Sequence, residues 1–200
     1  KARNIFLEKK KSSKNEIAYL KKIKIKTKLI SVENDNIGRA SQLTEKTNQF
    51  NFNTKRYKIA DIKRLKKTHL CFLVKLNDIY GDHGIVGFFI LKKNKETLFV
   101  DLFIMSCRIM GRYLENWILN EIKKIAINNK KKNILFEFIP TKKNKELINN
   151  FIKSNNLKKI KKKNIENIEK ENFNLENKSK AEYYTLNTKQ KITNLEIYEK

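Results

Sequence analysis

The sequence predicts an α+β domain. Three apolar, strand-like segments at residues 69–76, 85–91 and 98–105 follow one another with short connections, which indicates an antiparallel meander. Elsewhere apolar residues recur with helical spacing, most clearly within residues 109–128. The chain has 200 residues, of which 40% are hydrophobic, so it suits one domain with its own core rather than a disordered chain.

The other predicted elements lie on both sides of this meander. Before it we expect a helix over 3–22 with a break at Ser12 and Ser13, an alternating strand over 23–32, and short helices over 35–45 and 58–67. After it we expect a helix over 109–128, a buried strand over 133–139, a helix over 143–154 and a late strand over 181–187. Residues 158–180 are charged and rich in asparagine, which is typical of a loop or an extended arm. The predicted domain spans 23–187, with a helical segment over 1–22 before it and a tail over 188–200 after it.

The charge of the chain allows two interpretations. Lysine and arginine total 46 against 21 acidic residues, a net charge of +25, which suits a binder of polyanions. The alternative is compositional bias, because lysine, asparagine and isoleucine are abundant while glycine and proline are scarce. The longest basic runs, 130–132 and 158–163, lack arginine and aromatic partners for base stacking. We therefore favour bias over nucleic-acid binding.

Several protein classes are excluded by composition. Five glycines and one proline do not suit a collagen-like or proline-rich chain. Cys71 and Cys107 are too few for a zinc site or a disulfide framework, so we expect no metal and a reducing, cytoplasmic environment. No apolar run reaches membrane-spanning length, and the charged start does not resemble a signal peptide, so we expect no membrane partner. Because the chain does not begin with methionine, we expect it to be part of a longer protein.

A candidate anion-binding loop connects the third meander strand to the helix over 109–128. It contains Arg108, Met110, Gly111, Arg112 and Tyr113. Unpaired main-chain amides at the start of a helix favour anions, and a glycine allows close approach of a pyrophosphate. The alternative is an ordinary strand-to-helix turn in which the glycine serves packing.

The order of elements resembles that of the GNAT-type N-acetyltransferases. The resemblance implies a three-layer α/β/α fold with a mixed, mostly antiparallel sheet, and coenzyme A or phosphopantetheine as cofactor. Arg108 and Gly111 match the Arg-x-x-Gly-x-Gly/Ala loop that holds the coenzyme A pyrophosphate in this superfamily, while Tyr113 stands where the superfamily has glycine or alanine. The resemblance also implies a crevice between splayed strands for the thioester arm. Ile152 replaces a tyrosine that commonly donates a proton, which counts against independent acetyl transfer.

Four further stretches resemble the C-terminal acyltransferase-like domain of the FkbH-like family. They are RASQLTEKTNQFN (39–51), YGDHGIVG (80–87), FIMSCRIMGR (103–112) and IPTKKN (139–144). Family members carry an upstream phosphatase domain of the haloacid-dehalogenase type (HAD-IIIC), which moves a glyceryl group onto an acyl carrier protein. The resemblance thus implies that the upstream domain and the carrier protein are partners, and that residues 1–22 connect this domain to the missing one.

The first of these stretches holds the candidate catalytic residues Asn48, Gln49 and Asn51, and the fourth candidate, Arg56, follows it within Lys55-Arg56-Tyr57. Amides orient polar substrates without acid–base chemistry, and an arginine can grip a carboxylate or a phosphate through two hydrogen bonds. The alternative is that the amides stabilise an irregular loop and that Arg56 pairs with a surface acid.

Three other polar or reactive positions have open alternatives. His83, beside Asp82, is more typical of a turn than of a catalytic site. Cys107 suits either the core or an acyl acceptor. Asp101, on an apolar strand, lies either at a wet edge or in the interior with a partner.

The functional hypothesis is a domain that binds an acyl-coenzyme A or acyl-carrier-protein arm during acyl (glyceryl-type) transfer in a biosynthetic pathway. The first alternative is a non-catalytic module that positions the upstream phosphatase domain. A basic nucleic-acid-binding module is the least favoured alternative.

Overall fold

The computed structural model describes residues 2–161, 164, 180–192 and 196–199. Within these ranges the helices are α1 (Ala2–Ser12), α2 (Glu16–Lys22), α3 (Ile37–Lys46), α4 (Ile59–Leu65), α5 (Leu114–Asn128) and α6 (Lys145–Ser154). The strands are β1 (Ile25–Ser31), β2 (Phe50–Asn51), β3 (Leu70–Asp78), β4 (Gly81–Lys93), β5 (Thr97–Met105), β6 (Asn133–Phe138), β7 (Lys158–Lys159), β8 (Glu182–Asn187) and β9 (Tyr198–Glu199). A short 3-10 helix, Cys107–Ile109, precedes α5.

These strands form one mixed, mostly antiparallel sheet in the order β7-β8-β6-β5-β4-β3-β1-β9, with β2 beside β5. The predicted meander is confirmed as β3, β4 and β5, which pair antiparallel in sequence order. Strand β6 pairs parallel with β5, and β9 pairs parallel with β1. The β5–β6 crossover is made by α5, as a parallel connection requires.

Helices cover both faces of the sheet, which confirms the three-layer α/β/α arrangement. Successive strand residues point to opposite faces, so Leu73 and Val74 enter different hydrophobic clusters. The cluster around Val74 contains Ile118 of α5. The cluster around Leu73 contains Leu43 of α3 and Ile62 of α4. Both faces of the sheet are therefore buried under apolar side chains, as expected for a sheet with helices on either side.

The N-terminal helix is broken where the sequence indicates, but a different residue caps its second half. The side chain of Asn15, rather than Ser12 or Ser13, accepts a hydrogen bond from the main-chain N–H of Ala18 at 3.0 Å. Phe6 of α1 and Leu20 of α2 are fully buried in the core formed with α5. Both helices therefore pack on the domain, whatever their connecting role.

Two other segments differ from the sequence-based expectation. Strand β4 begins at Gly81, so His83 lies in a strand and the chain reverses at residues 79–80. The sequence predicts a tail over 188–200, but these residues include β9 and a buried Ile197. Ile197 is apolar and packs into the core, and β9 pairs with β1. Of the charged segment 158–180, only residues 158–161, 164 and 180 are among the described residues, and 158–159 form β7. No helix in the described ranges has both the length and the apolar character needed to cross a membrane.

Candidate functional site

Strands β5 and β6 separate part-way along their length. Their parallel pairing runs from Thr97 opposite Asn133 to Val100 opposite Phe136, and ends there. Beyond this point residues 50–53, which we call the inserted segment, lie between the two strands. The crevice that the GNAT resemblance implies is thus present in the sheet but filled by the chain itself.

The inserted segment is hydrogen-bonded to both strands that flank it. Phe50 and Asn51 pair antiparallel with the end of β5, and the N–H of Phe52 donates to the carbonyl of Phe103 at 3.3 Å. On the other side, the N–H of Ile139 donates to the carbonyl of Phe52 at 2.8 Å. The segment therefore satisfies main-chain groups that a splayed pair of strands would leave unpaired.

Aromatic packing explains why this segment enters the sheet. Phe50 and Phe52 are 1% and 2% exposed, and their rings lie 5.0 and 5.4 Å from the ring of Phe103. Phe151 of α6 packs edge-on against both at 5.7 Å. Burying two phenylalanine side chains stabilises the arrangement by roughly 3–6 kcal/mol in total. The alternating Phe and Asn in this stretch place the rings on one face.

The asparagines of the inserted segment complete its hydrogen bonding. Asn51 accepts the N–H of Thr54 at 2.9 Å through its side-chain oxygen, and Asn53 donates its side-chain amide to the carbonyl of Asp101 at 2.6 Å. Asn144 is fully buried and donates to the carbonyls of Asn51 and Ile139 at 2.8 and 3.0 Å. The TNQFN stretch (47–51) and the PTKKN stretch (140–144) are therefore in contact in the structure.

A buried polar cluster lies beside Asn53. Asp101 accepts hydrogen bonds at 2.7 Å from the ammonium of Lys55 and at 2.7 Å from the hydroxyl of Tyr57. Glu137, 1% exposed, lies 3.7 Å from the same ammonium. Of the two alternatives for Asp101, the structure shows the buried one, with a cationic partner.

A cleft of about 820 Å³ opens beside the inserted segment, at the end of β5. We call it the cationic cleft, because its described lining includes six cationic side chains and no carboxylate. They are Arg3, Arg39, Lys46, Arg108, Lys142 and Lys143. Cys107, Asn48 and Gln49 also line it. Such a concentration of one charge sign raises the local concentration of anions.

Arg39 is the most firmly positioned cation of the cleft. Its Nε and Nη2 atoms donate to the carbonyl of Ile85 at 3.2 and 3.1 Å, and Nη1 donates to the side chain of Gln42. Partial burial, and then the charge of Arg108, lower the pKa of Arg39. The two guanidiniums are thus close enough to repel each other, and a bound anion would relieve this repulsion.

The four candidate catalytic residues are divided between two adjacent cavities, because Asn48, Asn51 and Arg56 line a cavity of about 350 Å³ beside the cationic cleft. Asn48 and Gln49 line the cationic cleft, but Asn51 is 1% exposed and serves the inserted segment. Arg56 donates to the carbonyls of Thr44 and Thr47, the latter at 2.7 Å, and to the side chain of Asn48 at 2.5 Å. Arg56 therefore neutralises the carbonyl end of α3 and holds Asn48 at the cleft, rather than pairing with a surface acid.

The loop before α5 is covered by α1. The ammonium of Lys10 donates to the carbonyl of Gly111 at 2.9 Å, and the ring of Phe6 lies where a side chain at residue 111 would need room. Gly111 has φ +89°, a conformation that favours glycine, and a Cβ there would lie 3.3 Å from the Phe6 ring, closer than ordinary contact. Tyr113 has φ +56° and donates its hydroxyl to Glu16 of α2 at 2.6 Å.

Comparison with known proteins gives a clear result only at the level of the fold. No protein-family model and no curated protein matches the sequence. Among solved structures, a GNAT-family acetyltransferase from Staphylococcus aureus Mu50 superposes with a TM-score of 0.58, 12% identity, and coverage of 81% of this chain and 99% of that chain. This chain has the fold of the GNAT acetyltransferases.

Two further solved structures agree with this assignment. An acetyltransferase from Streptococcus agalactiae has a TM-score of 0.56 and 13% identity over 80% of this chain and 98% of its own. Rv2747 from Mycobacterium tuberculosis, solved in complex with CoA and NLQ, has a TM-score of 0.57 and 9% identity over 80% and 98%. At such identities the likeness establishes the GNAT fold and nothing finer.

The GNAT-like domain distributes the five predicted cofactor-binding residues differently from the expectation. Arg108 lines the cationic cleft, whereas Met110 packs on the core and Gly111 lies under α1. Arg112 is fully buried: its Nε donates to Asp78 at 2.6 Å, and its guanidinium carbon lies 3.9 Å from the centre of the Phe6 ring. Its Nη1 and Nη2 atoms have no hydrogen-bond partner among the described residues, but they are buried, so Arg112 offers no group to a diphosphate at the surface.

His83 and Cys107, for which the sequence leaves alternatives open, lie in different parts of the GNAT-like domain. The Nε2 atom of His83 lies 3.0 Å from Asp78, so it joins the same buried pair as Arg112. Cys107 is exposed in the cationic cleft and is not a core residue.

The sequence-based site omitted most of the cleft's cations. Arg39, Lys142 and Lys143 lie within or beside the family-like stretches but had no assigned role. An arginine in a chain that otherwise favours lysine is the one local signal that singles out Arg39.

Proposed function

We propose that this GNAT-like domain binds the phosphopantetheine arm of an acyl carrier protein or of coenzyme A and takes part in acyl (glyceryl-type) transfer, as the C-terminal domain of an FkbH-like protein. The observation that carries the proposal is the cationic cleft at the end of β5. The GNAT fold supports it at a coarse level, as does the bound CoA in the structure of Rv2747. The carrier protein and the upstream phosphatase-type domain are the proposed partners.

The chemistry of the cleft suits a phosphate group. Arg39 and Arg108 bring two guanidiniums near each other, and guanidinium groups bind phosphate oxygens in a bidentate manner. Asn48 and Gln49, on the same wall, carry the donors and acceptors that the amide groups of a pantetheine chain need.

A carrier-protein arm fits this arrangement better than free coenzyme A. The loop at Gly111, which the GNAT resemblance assigns to the diphosphate, is covered by Phe6 and Lys10. A carrier-protein arm carries one phosphodiester instead of a diphosphate. The surplus positive charge around the cleft would then face the acidic surface of the carrier.

Calorimetric titration with acyl carrier protein and with acyl-coenzyme A tests the proposal. We expect the wild type to bind. The affinity of Arg108→Ala should be lower by about tenfold or more, because one charge-assisted hydrogen-bonding partner is lost. Arg64→Ala is the matched control, since Arg64 is an exposed arginine of α4 that pairs with Asp61. No heat with either ligand, or equal loss in both variants, contradicts the proposal.

The second candidate function is a non-catalytic module that positions the upstream domain. It is favoured by the inserted segment, because residues 50–53 occupy the crevice in which an arm was expected. Deleting this domain from a protein that carries both should then weaken carrier-protein binding while phosphatase chemistry persists. Unchanged carrier affinity contradicts this candidate. Steeply salt-dependent binding to duplex DNA would instead favour the nucleic-acid alternative.

A further inference from the structure

The cavity of about 350 Å³ beside the cationic cleft, which we call the Arg56 cavity, shares Asn48, Lys142 and Lys143 with that cleft. Its described lining is entirely polar. It consists of three cations, two asparagines and two threonines, without a carboxylate or an apolar residue. Ligand pockets are mostly lined by apolar side chains, so this composition is unusual. It indicates a small, hydrophilic ligand with negative charge.

The positive charges of the Arg56 cavity are not neutralised by acids on its walls. Lys142 and Lys143 are exposed, and neither forms an ion pair with another residue in the described part of the chain. Partial burial lowers the pKa of Arg56, and the charge of Glu45 opposes this shift, but Glu45 does not line the cavity. Three neighbouring cations repel one another, so an anion placed among them is stabilised.

Arg56 and Asn48 also keep hydrogen-bond donors for a ligand. The Nη1 atom of Arg56 donates to the carbonyls of Thr44 and Thr47, and Nη2 donates to the side-chain oxygen of Asn48. A guanidinium has five N–H donors, so its Nε and one N–H of Nη2 remain. Because an arginine side chain only donates, the oxygen of Asn48 faces it. The amide nitrogen of Asn48 therefore keeps both of its N–H groups.

Thr54 contributes a further donor from an unusual backbone conformation. Its φ is +60°, in the left-handed region that β-branched residues rarely adopt. The side-chain oxygen of Asn51 accepts the N–H of Thr54 at 2.9 Å and so holds this conformation. The hydroxyl of Thr54, which lines the cavity, has no hydrogen-bond partner within the described ranges. A strained residue at a cavity wall is typical of a ligand-binding site.

We propose that the Arg56 cavity binds the phosphate group of a small, hydroxylated phosphomonoester. Such a phosphate carries about two negative charges and three terminal oxygens, which match the three cations and the donors of Arg56, Asn48 and Thr54. A carboxylate has one charge and two oxygens, so it would leave part of this set unused. The polar walls suit hydroxyl groups better than an alkyl chain. The inference does not depend on the proposed phosphopantetheine function.

Calorimetric titration with 2-hydroxyethyl phosphate tests the inference, with 3-hydroxypropionate as the carboxylate on the same hydroxyethyl group. We expect the phosphate to bind at one site, and the carboxylate to bind more weakly by about tenfold or more. Thr54→Glu places a negative charge in the cavity and should weaken phosphate binding by about tenfold or more. Asn150→Glu is the charge-matched control, because Asn150 is an exposed residue of α6 that does not line the cavity.

A second pair of variants locates the phosphate. Arg56→Gln removes a cation that lines only the Arg56 cavity and should weaken binding by about tenfold, whereas Lys46→Gln removes one that lines only the cationic cleft and should change the affinity by less than about twofold. Circular dichroism identifies any variant that does not fold, and the other pair then remains as the test. Absence of phosphate binding, equal affinity for the carboxylate, or equal effects within either pair overturns the inference. Failure here leaves the carrier-protein proposal intact, because that experiment probes Arg108.

Discussion

The side-chain amide of Asn144 donates a hydrogen bond of 2.8 Å to the main-chain carbonyl of Asn51, and this contact joins two stretches that lie far apart in the sequence. The same amide donates to the carbonyl of Ile139, and its oxygen accepts the N–H of Thr141 at 2.6 Å. Asn144 thus anchors the inserted segment between β5 and β6. The segment's place in the sheet depends on this one buried side chain and on the aromatic rings beneath it.

Replacement of Asn144 by alanine should destabilise the domain by about 2–4 kcal/mol, because two buried carbonyls lose their donor. Urea denaturation followed by circular dichroism measures the change. Asn150→Ala, at an exposed position of α6, the helix that Asn144 precedes, should change the free energy of unfolding by less than about 0.5 kcal/mol. Similar losses in both variants would contradict the anchoring role.

Removal of one partner from the Arg112–Asp78 pair should be severely destabilising. Both side chains are fully buried, so Arg112→Met leaves the carboxylate of Asp78 without its main cation and should cost about 3–5 kcal/mol. The double variant Arg112→Met with Asp78→Leu should recover part of this loss, because no buried charge is left unpaired. Denaturant titration of the three proteins measures the coupling. Additive losses in the double variant would show that the pair does not act as a unit.

The two cysteines should differ widely in their reaction with iodoacetamide. Cys71 is 9% exposed, and burial raises the pKa of its thiol to about 11, so little thiolate forms at pH 8. Cys107 is exposed in the cationic cleft and should react first. Mass spectrometry of the native protein should show one rapid alkylation, which Cys107→Ser abolishes. Rapid modification of Cys71 in that variant would contradict the burial.

Glu115→Gln should make the domain more stable at pH 8 in the absence of any ligand. The pKa of Glu115 is raised in the folded state, so the folded protein binds this proton more tightly than the unfolded chain does. Its contribution to stability is therefore present at low pH and lost as the pH rises through the folded pKa. The advantage of the variant should shrink as the pH is lowered toward 4. Thermal unfolding at a series of pH values measures this, and a pH-independent difference would contradict it.

Most elements of this fold are predictable because their signals are local. The alternation of β1 and the apolar runs of β3, β4 and β5 specify strands, and the spacing of Leu114, Ile118 and Ile122 specifies α5. The sequence predicts strand β4 from residue 85, because Gly81, Asp82 and Gly84 are typical of turns, whereas the pairing with β3 extends β4 back to Gly81.

Long-range contacts decided the rest. Residue type identified Arg112 as a cation but did not show that Phe6 and Asp78 would enclose it, since both lie far away along the chain. The cationic cleft likewise depends on how α3, the end of β5 and the start of α6 meet. Local pattern thus determined the elements and the GNAT-like order, whereas packing between distant segments determined which polar groups became structural and which remained free for a ligand.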